Sequence, residues 1–358
     1  MPSVEVNGVR INYLQLPCES GRGSGDLVMV HGLATSLAFW CFSHAPSFAG
    51  SHRVTLYDLR GHGRSGMTDS GYTAENMAED LRQLLDRLGI ERAHFVAHSF
   101  GGAVALHLAC HSPARFASLI IADTHVAAVR RLQGGRWAFG EKIQQILDQN
   151  GLDLDVQEPY FGYRLLGAVA RIKVRSGTVS PELERLVRPL LGENGMRTAS
   201  RWLHLIGTTR AEEELMGGDG LAPDSLRRLD FPIQAIYGER SPAMSTGERL
   251  LELWPHADFR RVRGAGHFFP ATRSSEFIEN CRGFWNGELL HGTPRRAGDP
   301  DRRHFRSDRF YSREGKWFFD TRESSGNGPF PDRGAAQARL WSRSLAAATA
   351  EGIPGGAV

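Results

Sequence analysis

Over the first third of the chain, short apolar runs alternate with amphipathic stretches. Val4 to Val6 and Arg10 to Leu16 flank Asn7-Gly8. Both residues of that dipeptide tolerate positive φ, so the segment reads as a β-hairpin. Asp26 to His31, Arg53 to Asp58, Phe95 to His98 and Leu119 to Ala122 are mostly apolar from end to end. Runs of that kind suit strands buried on both faces. Between them, Thr73 to Leu88 carries apolar residues at helical spacing and is stopped by Gly89. Strand and helix in alternation predict a mostly parallel sheet with helices on both faces.

The alternation stops at Thr124. Residues 124–230 read as helices and loops; Leu183, Leu186 and Val187 share one helical face, which Pro189 should end or kink, and Trp202, Leu205 and Ile206 repeat the spacing. Strand signals return at Pro232 to Tyr237 and Phe259 to Val262. The expected division is therefore a core of residues 1–123 and 231–286, with residues 124–230 as a helical cap inserted between strands 6 and 7. Such a cap would lie over the carboxyl edge of the sheet, where open α/β sheets bind ligands. Past Asn286 the composition changes. Residues 287–304, rich in Arg, Pro and Gly, read as a basic linker. Residues 305–350 read as a small α+β module: an aromatic hairpin turning at Glu314-Gly315, then Gly328-Pro329-Phe330, then an alanine-rich helix from Ala335 to Ala350.

Composition narrows the function classes. A chain of 358 residues with 41% hydrophobic and 23% charged residues is globular, and a net charge of +3 is too small for a nucleic-acid footprint. Cys18, Cys41, Cys110 and Cys281 have neither disulfide-framework nor zinc-site spacing. The first residues lack a basic and an apolar leader segment, and no apolar run approaches the roughly 20 residues needed to cross a bilayer. The expected location is the cytoplasm.

The candidate chemistry centres on Ser99. The run Phe95-Val96-Ala97-His98-Ser99-Phe100-Gly101-Gly102 takes a strand into a serine flanked by small residues, and an Ala/Val/Leu helix follows. That is the layout of a nucleophile elbow, with Ala97 where G-x-S-x-G has its first glycine. Three more motifs accompany it: Val30-His31-Gly32-Leu33, Asp58-Leu59-Arg60-Gly61-His62-Gly63-Arg64-Ser65 and Gly264-Ala265-Gly266-His267-Phe268-Phe269-Pro270.

In this combination and order, the motifs resemble those of the α/β-hydrolase superfamily over roughly residues 3–286. The resemblance implies Ser99 as nucleophile, His267 as general base, and the backbone N–H groups of Leu33 and Phe100 as an oxyanion hole. The acid departs from the common pattern. Where most members have G-x-x-D after the seventh strand, this chain has Gly238-Glu239-Arg240-Ser241. Asp123, which follows the sixth strand 24 residues after Ser99, is the favoured substitute, and Glu239 is its rival. His31 and His62 read as braces for their loops, Asp58 and Arg60 as holders of backbone. His98, Phe268 and Phe269 are candidates for substrate contact, as are the cap aromatics Trp137, Phe139, Tyr160, Phe161, Tyr163 and Trp202, although cap aromatics more often pack the cap on itself. The histidines lack metal-ligand spacing, and no cofactor is implied.

The expected activity is that of a serine hydrolase cleaving an ester, thioester or lactone of a small organic molecule. A C–C bond hydrolase or a cofactor-free haloperoxidase-like enzyme on the same triad is the nearest alternative. A non-catalytic ligand sensor signalling through the C-terminal module is the alternative from another class. The C-terminal segment resembles a short bacterial domain of no assigned activity, with a W-[FY]-F-x-T-R-E core at Trp317 to Glu323, then Gly328-Pro329-Phe330. It is read as a surface for a protein partner; neither nucleic acid nor a membrane span is expected.

Overall fold

The structure is a computed structural model that describes residues 1–20, 25–130, 137, 139–191, 195–287, 310–313, 316–319 and 327–331. Eight strands form one sheet: β1 (Ser3–Val6), β2 (Val9–Leu16), β3 (Asp26–Val30), β4 (Arg53–Tyr57), β5 (Ala93–His98), β6 (Phe116–Ala122), β7 (Ile233–Gly238) and β8 (Asp258–Val262). Their order is β1-β2-β4-β3-β5-β6-β7-β8. β1 and β2 pair antiparallel, as do β2 and β4; every later pair is parallel. The apolar runs named above form these strands because each is buried on both faces. Leu27 to Val30 and Leu119 to Ala122 are all fully buried.

Between β3 and β5 the strand order reverses. From β3 the chain steps outward to β4, then returns to place β5 on the other side. Ligands of open α/β sheets bind outside the carboxyl ends of strands at such a switch point. The segments leaving β3 and β5, which carry Gly32-Leu33 and Ser99, flank it.

Helix Ala74–Arg87 starts at Thr73, whose side chain accepts a bond from Asn76 N, and is followed by Gly89 at φ +63°. Arg60 crosses to this helix and binds Asp80 through two nitrogens, at 2.6 and 2.7 Å, with both side chains almost wholly buried. Removing one partner of such a pair strands the other's charge in the interior.

Between β6 and β7 the described residues are helices and loops, among them Gly140–Gln149, Phe161–Ser176, Pro181–Leu191, Gly195–Thr208 and Ala211–Met216. Helix Pro181–Leu191 breaks at Val187 (φ −127°, ψ +29°), two residues before Pro189, which cannot donate to the helix ladder. Polar clasps join these helices to the core. Arg201 donates to the carbonyls of Gly61 and Ser65, and Glu214 accepts from the backbone of Gly71 and Tyr72. Among the described residues, no helix is long and apolar enough to cross a membrane.

The chain divides into two compact units, Met1–Ile278 and Glu279–Val358. Helix Ser274–Trp285 spans the division, which therefore falls a few residues before the change of composition at Asn286. In the second unit β9 (Phe310–Arg313), β10 (Lys316–Phe319) and β11 (Asn327–Phe330) form an antiparallel sheet of order β11-β10-β9. The expected hairpin corresponds to β9 and β10, and β11 adds a third strand. The basic linker past Gly287, the turn at Glu314-Gly315 and the alanine-rich helix lie outside the described residues.

Candidate active site

Ser99 stands between β5 and helix Phe100–His111 at φ +55°, ψ −125°, a conformation that non-glycine residues rarely adopt. Two backbone bonds hold it there: Ser99 N donates to Ala122 O at 2.9 Å, and Gly102 N to Ser99 O at 2.9 Å. A side chain at Gly101 would collide with the His31 carbonyl, and one at Gly102 with Thr124. The strand-to-helix turn closes only because these two positions lack a Cβ.

The loop after β8 brings His267 to this turn. Its Nε2 lies 2.9 Å from Ser99 Oγ, and its side chain is 22% exposed. Four contacts hold the loop from outside. Arg240 N donates to Ala265 O (2.8 Å), and Gly264 N to Glu239 Oε2 (2.7 Å). His44 Nε2 reaches Pro270 O (2.8 Å), and His98 Nε2 reaches His267 O (3.0 Å). Ring contacts complete the wall: Phe268 stands edge-on to His267 at 4.9 Å, and Phe39 stacks on His98 at 4.9 Å.

Asp123, at the end of β6, occupies the far side of His267. It is fully buried at φ +49°, and its Oδ2 is 3.3 Å from His267 Nδ1. The two atoms are within ion-pair range without a formed hydrogen bond, and neither has a hydrogen-bond partner among the described residues. Oδ1 accepts from Gly238 N at 2.9 Å. Burial pushes this carboxyl above the usual carboxylate range; His267, the Ser241 hydroxyl and Gly238 N pull the other way without overcoming it. Ser241, the last residue of the Gly238-Glu239-Arg240-Ser241 frame, is buried, and its hydroxyl accepts from Ala243 N at 3.1 Å. Glu239 spends its Oε2 on Gly264 N and braces the loop. Asp123, not Glu239, is the carboxylate beside His267 Nδ1.

The turn after β3 forms the fourth side. His31 is fully buried, and burial lowers it to about 4, so it stays neutral near pH 7. Asp58 accepts from Leu37 N, Asn12 Nδ2 and Arg64 N at 2.7 to 2.8 Å, joining this turn to β2 and the loop after β4.

Of the three side chains expected at the substrate, Phe268 is half-buried. Phe269 and His98 lie elsewhere than expected. Phe269 opens a helical turn that directs its ring into the core against Phe277, leaving it 1% exposed. His98 has no exposed surface, and burial with neighbouring His267 holds it well below the ordinary histidine range. Phe161 and Trp202 are buried in the same hydrophobic core cluster as the sheet strands. Phe39, Thr35 and His44 were not singled out in the sequence, where none carries a visible signal; Ser241 was noted there for its place in the G-x-x-D frame.

Comparison with known proteins agrees with this architecture. The profile of a family described by the alpha/beta hydrolase fold matches residues 27–273, and residues 295–342 match a domain described as of unknown function. A Pseudomonas putida protein, the dihydrolipoyllysine-residue acetyltransferase component of an acetoin cleaving system, is 40% identical over 115 residues. That match takes in 32% of this chain and 30% of the relative, so the chain spans less than a third of that relative's length. A Caulobacter segnis protein named as a carbamate hydrolase is 27% identical over 274 residues, covering 74% of this chain and 92% of the relative. The solved enol-lactonase from Burkholderia xenovorans is 21% identical, with a TM-score of 0.56 over 80% of this chain and 100% of that one. At that identity the likeness is one of fold.

Proposed function

The chain belongs to the α/β-hydrolase fold family, and on that footing we propose that it is a serine hydrolase acting on an ester, thioester or lactone of a small organic molecule. One observation carries this reading: His267 Nε2 lies 2.9 Å from the hydroxyl of a serine held at positive φ between strand and helix. A serine hydroxyl is a weak nucleophile until a neighbouring base takes its proton. In the proposed reaction Ser99 Oγ attacks the acyl carbon as His267 accepts the proton, and Asp123 steadies the imidazolium that forms. His267 then protonates the leaving oxygen or sulfur. Water, activated by the same imidazole, hydrolyses the acyl-enzyme and regenerates Ser99.

The charge that develops on the acyl oxygen needs fixed donors. Phe100 is the first residue of its helix, so its N–H has no acceptor within the helix and is available for this task. Leu33 N–H is the proposed second donor. The carbamate and the enol-lactone in the relatives' names each offer an acyl carbon of the kind this reaction requires. A panel of p-nitrophenyl esters of graded chain length, with acyl thioesters beside it, tests the reading. Turnover of at least one member is expected; a purified protein inert to all of them would count against it.

The pH profile follows from the same chemistry. Protonated His267 cannot accept the serine proton, so kcat/KM should fall on acidification. His31 (about 4), His62 (about 3) and the low-lying His98 stay neutral over about pH 5 to 8. These three therefore add no proton to the acid limb, which should report the coupled His267–Asp123 pair; a limb that requires more protons than that pair can take up would contradict the assignment.

All four motifs precede Asn286. A chain ending at Gly287 is therefore expected to fold and to keep kcat on a soluble ester within about threefold, since that change corresponds to less than 1 kcal/mol of barrier. Comparing purified full-length and shortened chains checks this, and a tenfold loss would tie the C-terminal unit to turnover.

A further inference from the structure

We infer that Thr35 and His31 together lock the Gly32–Leu33 peptide in the orientation that presents Leu33 N–H to the reacting acyl oxygen. The inference rests on the proposed hydrolase reading and assigns two positioning residues to it.

Two donors converge on one carbonyl. Thr35 Oγ1 donates to Gly32 O at 2.8 Å, and His31 Nδ1 lies 2.8 Å from the same oxygen. The second ring nitrogen of His31 fixes the tautomer. Leu59 N–H donates to Nε2 at 3.1 Å, so Nε2 is the bare nitrogen and Nδ1 carries the proton. Thr35 Oγ1 also lies 3.1 Å from Nδ1, which keeps the two donors side by side. Both residues are buried.

A trans peptide is planar, with N–H and C=O on opposite edges. Holding the Gly32 carbonyl toward Thr35 and His31 therefore turns Leu33 N–H the other way. Gly32 adjoins the nucleophile: a Cβ built on it would stand 3.0 Å from Ser99 Cβ. Gly32 has no Cβ, so its own backbone sets little intrinsic preference between the two orientations of the peptide that follows it. If the peptide flipped, the carbonyl dipole rather than the N–H would meet the developing negative charge. The two donors oppose that flip. Asp58, through Leu37 N, anchors the chain two residues further on.

The test is Thr35→Val, which keeps the side chain's shape and removes its hydroxyl, with Thr35→Ser as the conservative variant. A fixed oxyanion donor is typically worth 10²- to 10³-fold in turnover, so loss of one of two anchors should lower kcat about 10- to 100-fold. KM should stay within about twofold, because the neutral ground state does not need the donor. Affinity for a trifluoromethyl ketone analogue of the best ester, which forms a tetrahedral oxyanion on Ser99, should fall in parallel with kcat/KM. Thr35→Ser should recover most of both. Near-wild-type kcat and ketone affinity in folded Thr35→Val would overturn the inference, as would a loss carried by KM alone. If Thr35→Val does not fold, Thr35→Cys, similar in size with a weaker donor, decides: it should fall between Ser and wild type on one side and complete loss on the other, and parity with wild type would overturn the lock. An unmutated protein that neither hydrolyses esters nor binds the ketone would instead sink the functional reading itself.

Discussion

Ser99→Ala is expected to abolish turnover while leaving the fold in place. The hydroxyl is the only group removed, and the strained turn is held by backbone bonds to Ala122 and from Gly102 that alanine retains. In serine hydrolases loss of the nucleophile costs on the order of 10⁶ in kcat. The melting temperature should not fall, because alanine at the same φ removes no contact except that with His267. Steady-state rates and thermal melts of the purified variant check both halves. His267→Ala should lose activity to a comparable degree, since residues that act as one unit are not additive.

The second large effect separates the two carboxylates. Asp123→Asn should lower kcat on the order of 10⁴-fold, because an amide beside Nδ1 favours the wrong imidazole tautomer and cannot steady an imidazolium. Glu239→Gln keeps an oxygen for Gly264 N and should stay within a few-fold of wild type. Reversal of this ranking would move the acid to the loop after β7. Stability should respond in the opposite sense to activity. Burial raises the Asp123 carboxyl above its unfolded value, so the native state holds this proton more tightly than the unfolded chain. From this group, stability is highest below the unfolded value and falls as pH rises toward the native one. At neutral pH the buried charge is thus a cost that asparagine removes, while its Oδ1 can still accept from Gly238 N. Asp123→Asn should melt at or above the wild-type temperature at pH 7; a marked fall would contradict this account of the buried carboxylate.

The strands were legible wherever burial on both faces made the sequence uniformly apolar, as in Leu27 to Val30. β6 shows the limit of that signal. It runs from Phe116, three residues before the apolar run at Leu119, because Ser118 meets His94 on β5, and their side chains bond at 2.7 Å. A polar pair shared by neighbouring strands leaves no trace in either strand's own pattern. The short helices Ala38–Cys41 and Ala45–Ala49 were equally hidden, being only about one turn long.

At the site, the meeting of Ser99 and His267 was readable because a tight strand-to-helix turn and a glycine-flanked histidine loop impose local sequence constraints. The supporting side chains were not. Thr35 acts on a carbonyl three residues away inside a turn with no regular pattern, and His44 acts on Pro270, a contact that exists only once distant segments are assembled. Phe269 marks the same boundary: it follows Phe268 directly, yet the helical turn starting there sends one ring to the site and the other into the core.

Labelling with a fluorophosphonate tests the central claim most directly, because the reagent needs no knowledge of the substrate and reacts only with a serine whose proton can be taken. The full-length protein should gain one phosphonyl group, located on Ser99 by peptide mass analysis. Labelling should be lost in Ser99→Ala and slowed sharply in His267→Ala. An unlabelled protein, or one labelled at another serine, would contradict the reading of Ser99 and His267 as a nucleophile and its base.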